Sequence, residues 1–371
     1  MKTESLHGGV DPQRLRRLLQ RMIDIYSPSG KEKELLDYLH DYLKLHDLPV
    51  HCQRLADGRY NLIVMPAERH IQLALMGHVD TVSAYDLEHM HFSEKNGRIH
   101  GLGAADMKSG CAAMIEAYVS LWRSGIQQLP AALVLVVGEE EEGDGTLRLL
   151  EEYHFPWALL AEPTQLTPCL SHFGYIEAQL LTRGQRRHAS LANQRTNPVE
   201  YMLYLLLAII QQMSKQRGQS ICNIRDLLSS QAGFVVPEWC EAWLDIHLSP
   251  DTQAGDICAE LEAQVQETFP NRRKAEAQIR FHTIHSGYRL PEKGAQVGVL
   301  KQVYRDHGLP WQPAAFQSHS DANLLWIGGV KPILLGPGSL AKAHAPDESI
   351  QWNEVLTASR LFRDILIGMF K

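Results

Sequence analysis

Short apolar runs punctuate the first half of the chain: "NLIVM" from Asn61, "IQLALMG" from Ile71, "AALVLVV" from Ala131 and "WALLA" from Trp157. Each stops at polar or glycine residues. Runs this short, with no polar alternation, predict strands buried on both faces. A longer period appears in "SPSGKEKELLDYLHDYLKLH", where Leu35, Leu36, Leu39, Tyr42 and Leu43 share one helical face. Ser29 followed by Glu32 fits a capping box at its start. Between the second and third apolar runs, "MKSGCAAMIEAYVSLWRSG" reads as a helix with a glycine stop. Strand, helix, strand, helix, strand is the order of an α/β layer.

The pattern changes after Ser171. "GYIEAQLLTR" alternates like a strand with one solvated face, and "NPVEYMLYLLLAIIQQM" starts a helix with Asn197 as cap and Pro198 in the first turn. "FVVPEWCEAWLDIHLS" reads as a strand or hairpin, "DTQAGDICAELEAQVQETF" as a helix and "AEAQIRFHTI" as a strand. The order β-α-β(β)-α-β is that of a small ferredoxin-like α+β unit. From Ser286 the α/β grammar returns and ends in the helix "WNEVLTASRLFRDILIGMF". The chain has 371 residues. Single cores stop growing at about 250–300 residues, so two domains are expected. The simplest division places 1–171 and 286–371 in one discontinuous domain, with 172–285 inserted into it.

The net charge is −7 and no long basic block interrupts the chain, so nothing suggests nucleic acid. The six cysteines form no CxxC pair, and the polar start "MKTESLHGGVDPQRL" lacks the apolar segment of a secretory signal. A cytoplasmic protein with reduced thiols is expected. The longest apolar run, Tyr201 to Ile210, is half of what a membrane span needs.

Candidate chemistry gathers where strands end, the place where open α/β sheets form sites. "LMGHVDTV" sets His78 and Asp80 two residues apart, on the same side of an extended segment. Asp80 could then accept from one ring nitrogen while the other meets a metal; a satisfied polar turn accounts for the pair equally well. Asp106 in "HGLGAADMKSG" stands at a helix start, where a capping role alone would suffice. The "GLG" lacks the third glycine of a dinucleotide loop. "VVGEEEEGDG" puts Glu139 to Glu142 directly after a strand. An isolated charge run is usually a solvated face, yet four like charges are tolerated better around a cation. "LLAEPTQ" adds Glu162 and "GPGSLAKAHAPDESI" adds His344.

Two histidines and at least three carboxylates, with no cysteine among them, suit zinc and also cobalt or manganese. Five ligands exceed the three of a single catalytic zinc. They suit two ions about 3.5–4 Å apart that share a bridging carboxylate and hold a hydroxide between them. A free glutamate beside the pair would take the water's proton and pass it to a leaving amine. The residues alone therefore point to a co-catalytic metal hydrolase.

These five motifs, in this order, resemble the M20 metallopeptidase family, which includes acetylornithine deacetylases, succinyl-diaminopimelate desuccinylases, carboxypeptidase G2-like enzymes and aminoacylases. The resemblance spans nearly the whole chain. It implies a catalytic domain of the metal-dependent exopeptidase type carrying an inserted dimerisation domain. It implies two divalent ions, most in keeping with zinc, held by His78 and Glu162 on one side, Glu141 and His344 on the other, and Asp106 between. Asp80 would orient His78, Glu140 would be the general base, and Glu139 and Glu142 would flank; because some members lack the spacer before the glycine, the register along Glu139–Glu142 is open by one residue in either direction. The family pattern also implies a cis peptide between Asp106 and Met107.

In the insert, "RGQRRHAS" resembles a glycine-x-x-x-histidine motif. There His188 would reach the partner subunit of a homodimer and stabilise the tetrahedral oxyanion. Phe234 and His247 stand where many members carry asparagine and arginine, so recognition of a substrate carboxylate differs or passes to residues such as Arg280 and Arg289. "SHSDANLL" is similar to carboxypeptidase-like members and "GPGSLAKAHAPDE" to amino-acid deacetylases. The expected reaction is hydrolysis of an amide bond in an N-acyl amino acid or short peptide, by a deacylase or by a carboxypeptidase or dipeptidase. The alternative is a metal-binding, regulatory member of the fold that has lost catalysis.

Overall fold

Leu73–His78 and Ala131–Val136 run parallel at the centre of a mixed sheet, and every residue of both strands is buried. Their unbroken apolar runs follow from having protein on both faces. In this computed structural model residues 9–66, 71–86, 89–192, 197–216, 220–230, 233–268 and 276–369 are described. The sheet runs in the order Val50–Arg54, Tyr60–Val64, Ala131–Val136, Leu73–His78, Trp157–Leu160, Lys331–Leu334 and Cys169–His172. The pairs among Ala131–Val136, Leu73–His78, Trp157–Leu160 and Lys331–Leu334 are parallel, whereas the Val50–Arg54 edge is antiparallel. Helix Lys108–Arg123 is buried from Lys108 to Leu121, between the sheet and the helices Pro12–Asp24 and Trp352–Gly368. A helix covered all round has no reason to keep a polar face.

The chain divides into two compact units. The first comprises Met1–Leu170, Leu290–Phe316 and Ser320–Lys371; the second comprises Ser171–Arg289 and Gln317–His319. The expected insert, 172–285, lies inside the second unit.

That unit is a four-stranded antiparallel sheet under two helices. In chain order it has Gly174–Arg183, helix Pro198–Gln216, Ile221–Ser229, Trp239–Leu248, helix Ala254–Thr268 and Glu276–His285. The strands lie side by side as second, third, first, fourth, which is the ferredoxin-like order. Alternate residues of the two central strands are buried. Ile176, Ala178, Leu180, Ala242, Leu244 and Ile246 meet Met202, Leu205, Ile209, Ile257 and Leu261 from the helices. Truncating Leu244 to alanine in such a core costs about 2–5 kcal/mol. Asn197 caps the first helix, its side chain accepting from the Val199 N–H at 3.1 Å.

One local expectation changes. Ser29 and Glu32 form no capping box: helix Lys33–Leu45 has no side-chain cap bond, and the Ser29 hydroxyl donates to Asp80 instead. Strand Ile221–Ser229 carries no clean alternation in sequence because its register shifts between Ile224 and Asp226. An extra residue there breaks the period of two.

Candidate metal centre

His78 closes the central strand and is 1% exposed. Its Nε2 faces two carboxylates, Asp106 Oδ1 at 3.3 Å and Glu139 Oε2 at 3.7 Å. Its Nδ1 lies 3.0 Å from the backbone carbonyl oxygen of Asp80 and 3.6 Å from that residue's Oδ1. The ring is thus oriented chiefly by the main chain, not by the carboxylate that the two-residue spacing suggests. The Asp80 carboxylate turns to the acidic run. Oδ1 accepts from the Glu139 N–H at 3.3 Å; Oδ2 accepts from the Glu140 N–H at 3.1 Å and from the Ser29 hydroxyl at 2.8 Å.

The acidic run is a closed turn. Gly138 and Gly143 both adopt left-handed backbone, with φ of +74° and +64°, and the Gly143 N–H donates to the Gly138 carbonyl at 2.7 Å. Glycine tolerates that conformation without a Cβ penalty. At Gly138 a Cβ would also run into the Asp144 carboxylate. Within the turn, Glu139 and Glu140 point inward and Glu141 and Glu142 are exposed. Glu140 lies beside His344, whose Nε2 is 2.9 Å from Glu140 Oε2 and 3.6 Å from Asp106 Oδ2. Glu140, and not Glu141, is thus the carboxylate beside His344, because the Asp80 clamp seizes the first two N–H groups of the turn and the glycine closure throws the next two side chains outward.

Asp106 lies between the two imidazoles, Oδ1 toward His78 and Oδ2 toward His344. It does not cap a helix: helix Lys108–Arg123 takes Met107 as its N-cap, and the Asp106–Met107 peptide is cis. Among the described residues, His78, Asp106 and Glu140 form the one group of three His, Cys, Asp or Glu donors whose ligand atoms all lie within 4.8 Å of one another. Glu162 follows strand Trp157–Leu160 and is 3% exposed. Its Oε1 and Asp106 Oδ1 are buried without a hydrogen bond.

The electrostatics are those of a crowded anionic site. Burial, then neighbouring carboxylates, hold Glu139 and Glu162 well above the usual carboxylate range, and burial raises Glu140. Burial pushes Asp321, a further buried acid in range of both Glu139 and Glu162, up to about 7. Burial alone would favour neutral His78, but Glu139 and Asp106 outweigh it and hold the ring well above its ordinary value. The bond to Glu140 raises His344 to about 9. Asp80 behaves oppositely: His78, Ser29 and the Glu140 N–H outweigh its burial and lower it. Buried carboxylates with orphaned oxygens, facing two imidazoles, fit divalent cations that would replace the protons holding the set together. The one thiol nearby is occupied, since Cys111 donates to the His78 carbonyl oxygen at 3.1 Å. Imidazole and carboxylate donors suit zinc, manganese or cobalt.

Beside His344 opens a cavity of about 520 Å³, with Val82, Met90, Phe92 and Leu102 among its apolar walls and His100 among its polar ones. Sequence reasoning passed over Glu348, which also lines this cavity; its carboxylate accepts three backbone N–H groups of the loop that carries Asp106. Ser29, expected as a helix cap, instead donates to Asp80. His188 belongs to the second unit, where it is exposed and its Nδ1 lies 2.8 Å from Ser190 Oγ. In that unit Phe234 is 87% exposed, Arg289 pairs with Asp251 at 2.6 Å, and His247 keeps a buried Nδ1 without a hydrogen bond.

Fold and donor set place the chain among the metal-dependent hydrolases of peptide and related amide bonds. A model of peptidase family M20/M25/M40 matches residues 74–367, and the chain belongs to that family. A peptidase M20 domain-containing protein of Schizosaccharomyces pombe is 25% identical over 360 residues, covering 94% of this chain and 81% of that one. An acetylornithine deacetylase of Proteus mirabilis is 25% identical over 338 residues, covering 85% and 84%. Among solved structures, a tripeptidase of Staphylococcus aureus matches with a TM-score of 0.80 at 21% identity, covering 98% of this chain and all of that one (100%). Among the described residues no helix is long and apolar enough to cross a membrane.

Proposed function

We propose that this chain hydrolyses the amide bond of a small N-acyl amino acid or short peptide, with Glu139 as general base. His78 and Glu162 would hold one divalent ion, Glu140 and His344 the other, and Asp106 both; zinc suits the donors best. The observation that carries this reading is the Asp106 carboxylate, with one oxygen 3.3 Å from His78 and the other 3.6 Å from His344. When bound, the ions supply Lewis acidity that polarises the scissile carbonyl and acidifies a water.

The chain's own residues do the rest. Glu139 is buried beside His78, with a carboxyl group whose raised proton affinity suits accepting a proton from the attacking water and returning it to the leaving amine. Asp80 fixes where that carboxylate starts by holding its main-chain N–H. Val82, Met90, Phe92 and Leu102 offer an apolar wall to a substrate side chain or acyl group next to His344. The likeness to an acetylornithine deacetylase supports a deacylase, and the family supports a peptidase equally.

The second unit would form the homodimer, with His188 reaching the partner's site. Leu203, Leu207 and Ile210 on one face of its first helix, and Ile221, Leu227 and Leu228 on its edge strand, are exposed, apolar surface of the kind that a second copy covers. Leu207→Asp then yields a monomer by sedimentation and loses activity; a fully active monomer would remove His188 from the reaction.

The reading as a whole is tested by rates on N-acetyl amino acids, N-succinyl amino acids and dipeptides with zinc, cobalt or manganese added to metal-stripped protein. Turnover on at least one class that vanishes with a chelator is expected. Metal uptake with no turnover across the panel would favour a non-catalytic role.

A further inference from the structure

Glu348 stands four residues after His344, on the same short segment, and is 6% exposed. Its Oε2 accepts from the Gly103 N–H at 2.8 Å; its Oε1 accepts from the Ala105 N–H at 2.7 Å and the Asp106 N–H at 3.0 Å. The Ala104 N–H between them is taken by the Gly101 carbonyl at 3.1 Å. Every N–H from Gly103 to Asp106 is therefore satisfied, three of them by one side chain from the far end of the sequence. The Glu348 N–H closes its own turn on the Ala345 carbonyl at 3.0 Å, which fixes its place relative to His344.

We infer that Glu348 is a positioning residue that sets the Asp106 carboxylate between His78 and His344 by gripping the backbone of Gly103–Asp106. The inference rests on the metal-centre reading above. One segment thereby presents His344 to the Asp106 side chain and Glu348 to the Asp106 main chain, so the spacing between two donor groups depends on a single short turn. The carboxylate chemistry is specific. An amide at 348 can keep its oxygen on Ala105 and Asp106, but its NH₂ then meets the Gly103 N–H, donor against donor. An aspartate is one methylene too short to serve both ends of the loop.

The test is a cobalt titration of the full, metal-stripped chain, read by visible absorption and by bound cobalt per chain, with melting temperature recorded beside it. Wild type is expected to take up two equivalents. Glu348→Gln weakens at least one of them about tenfold and Glu348→Ala about a hundredfold, the range seen for residues that orient metal ligands. Both change the cobalt absorption envelope. Glu354→Gln is the structural control: its carboxylate accepts the Gly338 N–H at 2.9 Å, and its loss leaves the cobalt titration at wild type. Should Glu348→Ala fail to fold, Glu348→Asp gives the same readout with the charge retained. Unchanged cobalt affinity and spectrum in folded Glu348 variants would overturn the inference. Wild-type protein that takes up no cobalt would overturn the metal-centre reading, and this inference with it.

Discussion

Histidines gather in both units, and their surroundings give them opposite characters. In the first, His78 and His344 face carboxylates that raise their proton affinity, His344 to about 9. In the second, His172, His247, His285 and His319 pack among rings. His319 stacks on His285 with 3.0 Å between ring nitrogens, Tyr175 touches both His247 and His319, and Tyr288 stacks on His172. Burial drives His172 down to about 4 and His319 to about 3, and the neighbouring imidazoles push the same way. Clustered histidine is thus no sign of a metal by itself. Carboxylates with unmet oxygens fit the first group to a cation, whereas burial among rings lowers the proton affinity of His172, His285 and His319.

The two regions should respond to acid in opposite directions. His172 and His319 have folded values below the unfolded histidine value of about 6.5. The unfolded state therefore binds more protons once pH drops below 6.5, and stability is lost as pH falls toward the folded values. For His319 the loss is roughly 2–3 kcal/mol by about pH 4.5. Glu139 and Glu162 lie above the unfolded value, so the metal-free first unit binds extra protons when folded and gains stability as pH falls through their folded values. Hydrogen-exchange protection factors at pH 7 and pH 5, read peptide by peptide, should fall across 174–285 and hold or rise around 138–145. Parallel losses in both would break the comparison. Zinc should flatten the first trend by replacing the protons and leave the second unchanged.

The next effect is at Asp80. Asp80→Ala frees the Glu139 and Glu140 N–H groups and should weaken metal binding or turnover about 10–100-fold. A smaller change follows from Ser29→Ala, which removes one hydrogen bond to a buried carboxylate, and turnover should drop up to about tenfold. If Ser29 were only a helix cap, melting temperature would fall and the rate would not.

Much of this was legible in the sequence because strands buried on both faces announce themselves as unbroken apolar runs, and sites collect where such runs stop. His78 and Glu162 stand out on that ground, Asp106 at a helix start after a glycine-rich loop and His344 in a second glycine-rich loop. Which glutamates of Glu139 to Glu142 face inward was not legible. That depends on left-handed Gly138 and Gly143 closing the turn, and on Asp80 seizing the first two N–H groups, both products of tertiary structure. Ser29 was misread because a serine three residues before a glutamate looks like a capping box whether or not a carboxylate elsewhere claims its hydroxyl. Gln317–His319 groups with the second unit, where His319 meets His285, although its neighbours in sequence belong to the first. Glu348 carried no spacing signal at all, since its partners lie more than 240 positions away.

A glutamine scan over the acidic turn tests its register directly, with bound zinc and turnover measured on each variant. Glu139→Gln should keep two equivalents of zinc and lose about 10²–10⁴-fold in turnover, as expected for loss of a general base. Glu140→Gln should lose an equivalent, and Glu141→Gln should match wild type in both. Full zinc with lost turnover in Glu140→Gln, together with lost zinc in Glu141→Gln, would contradict the account and restore the register one residue further along.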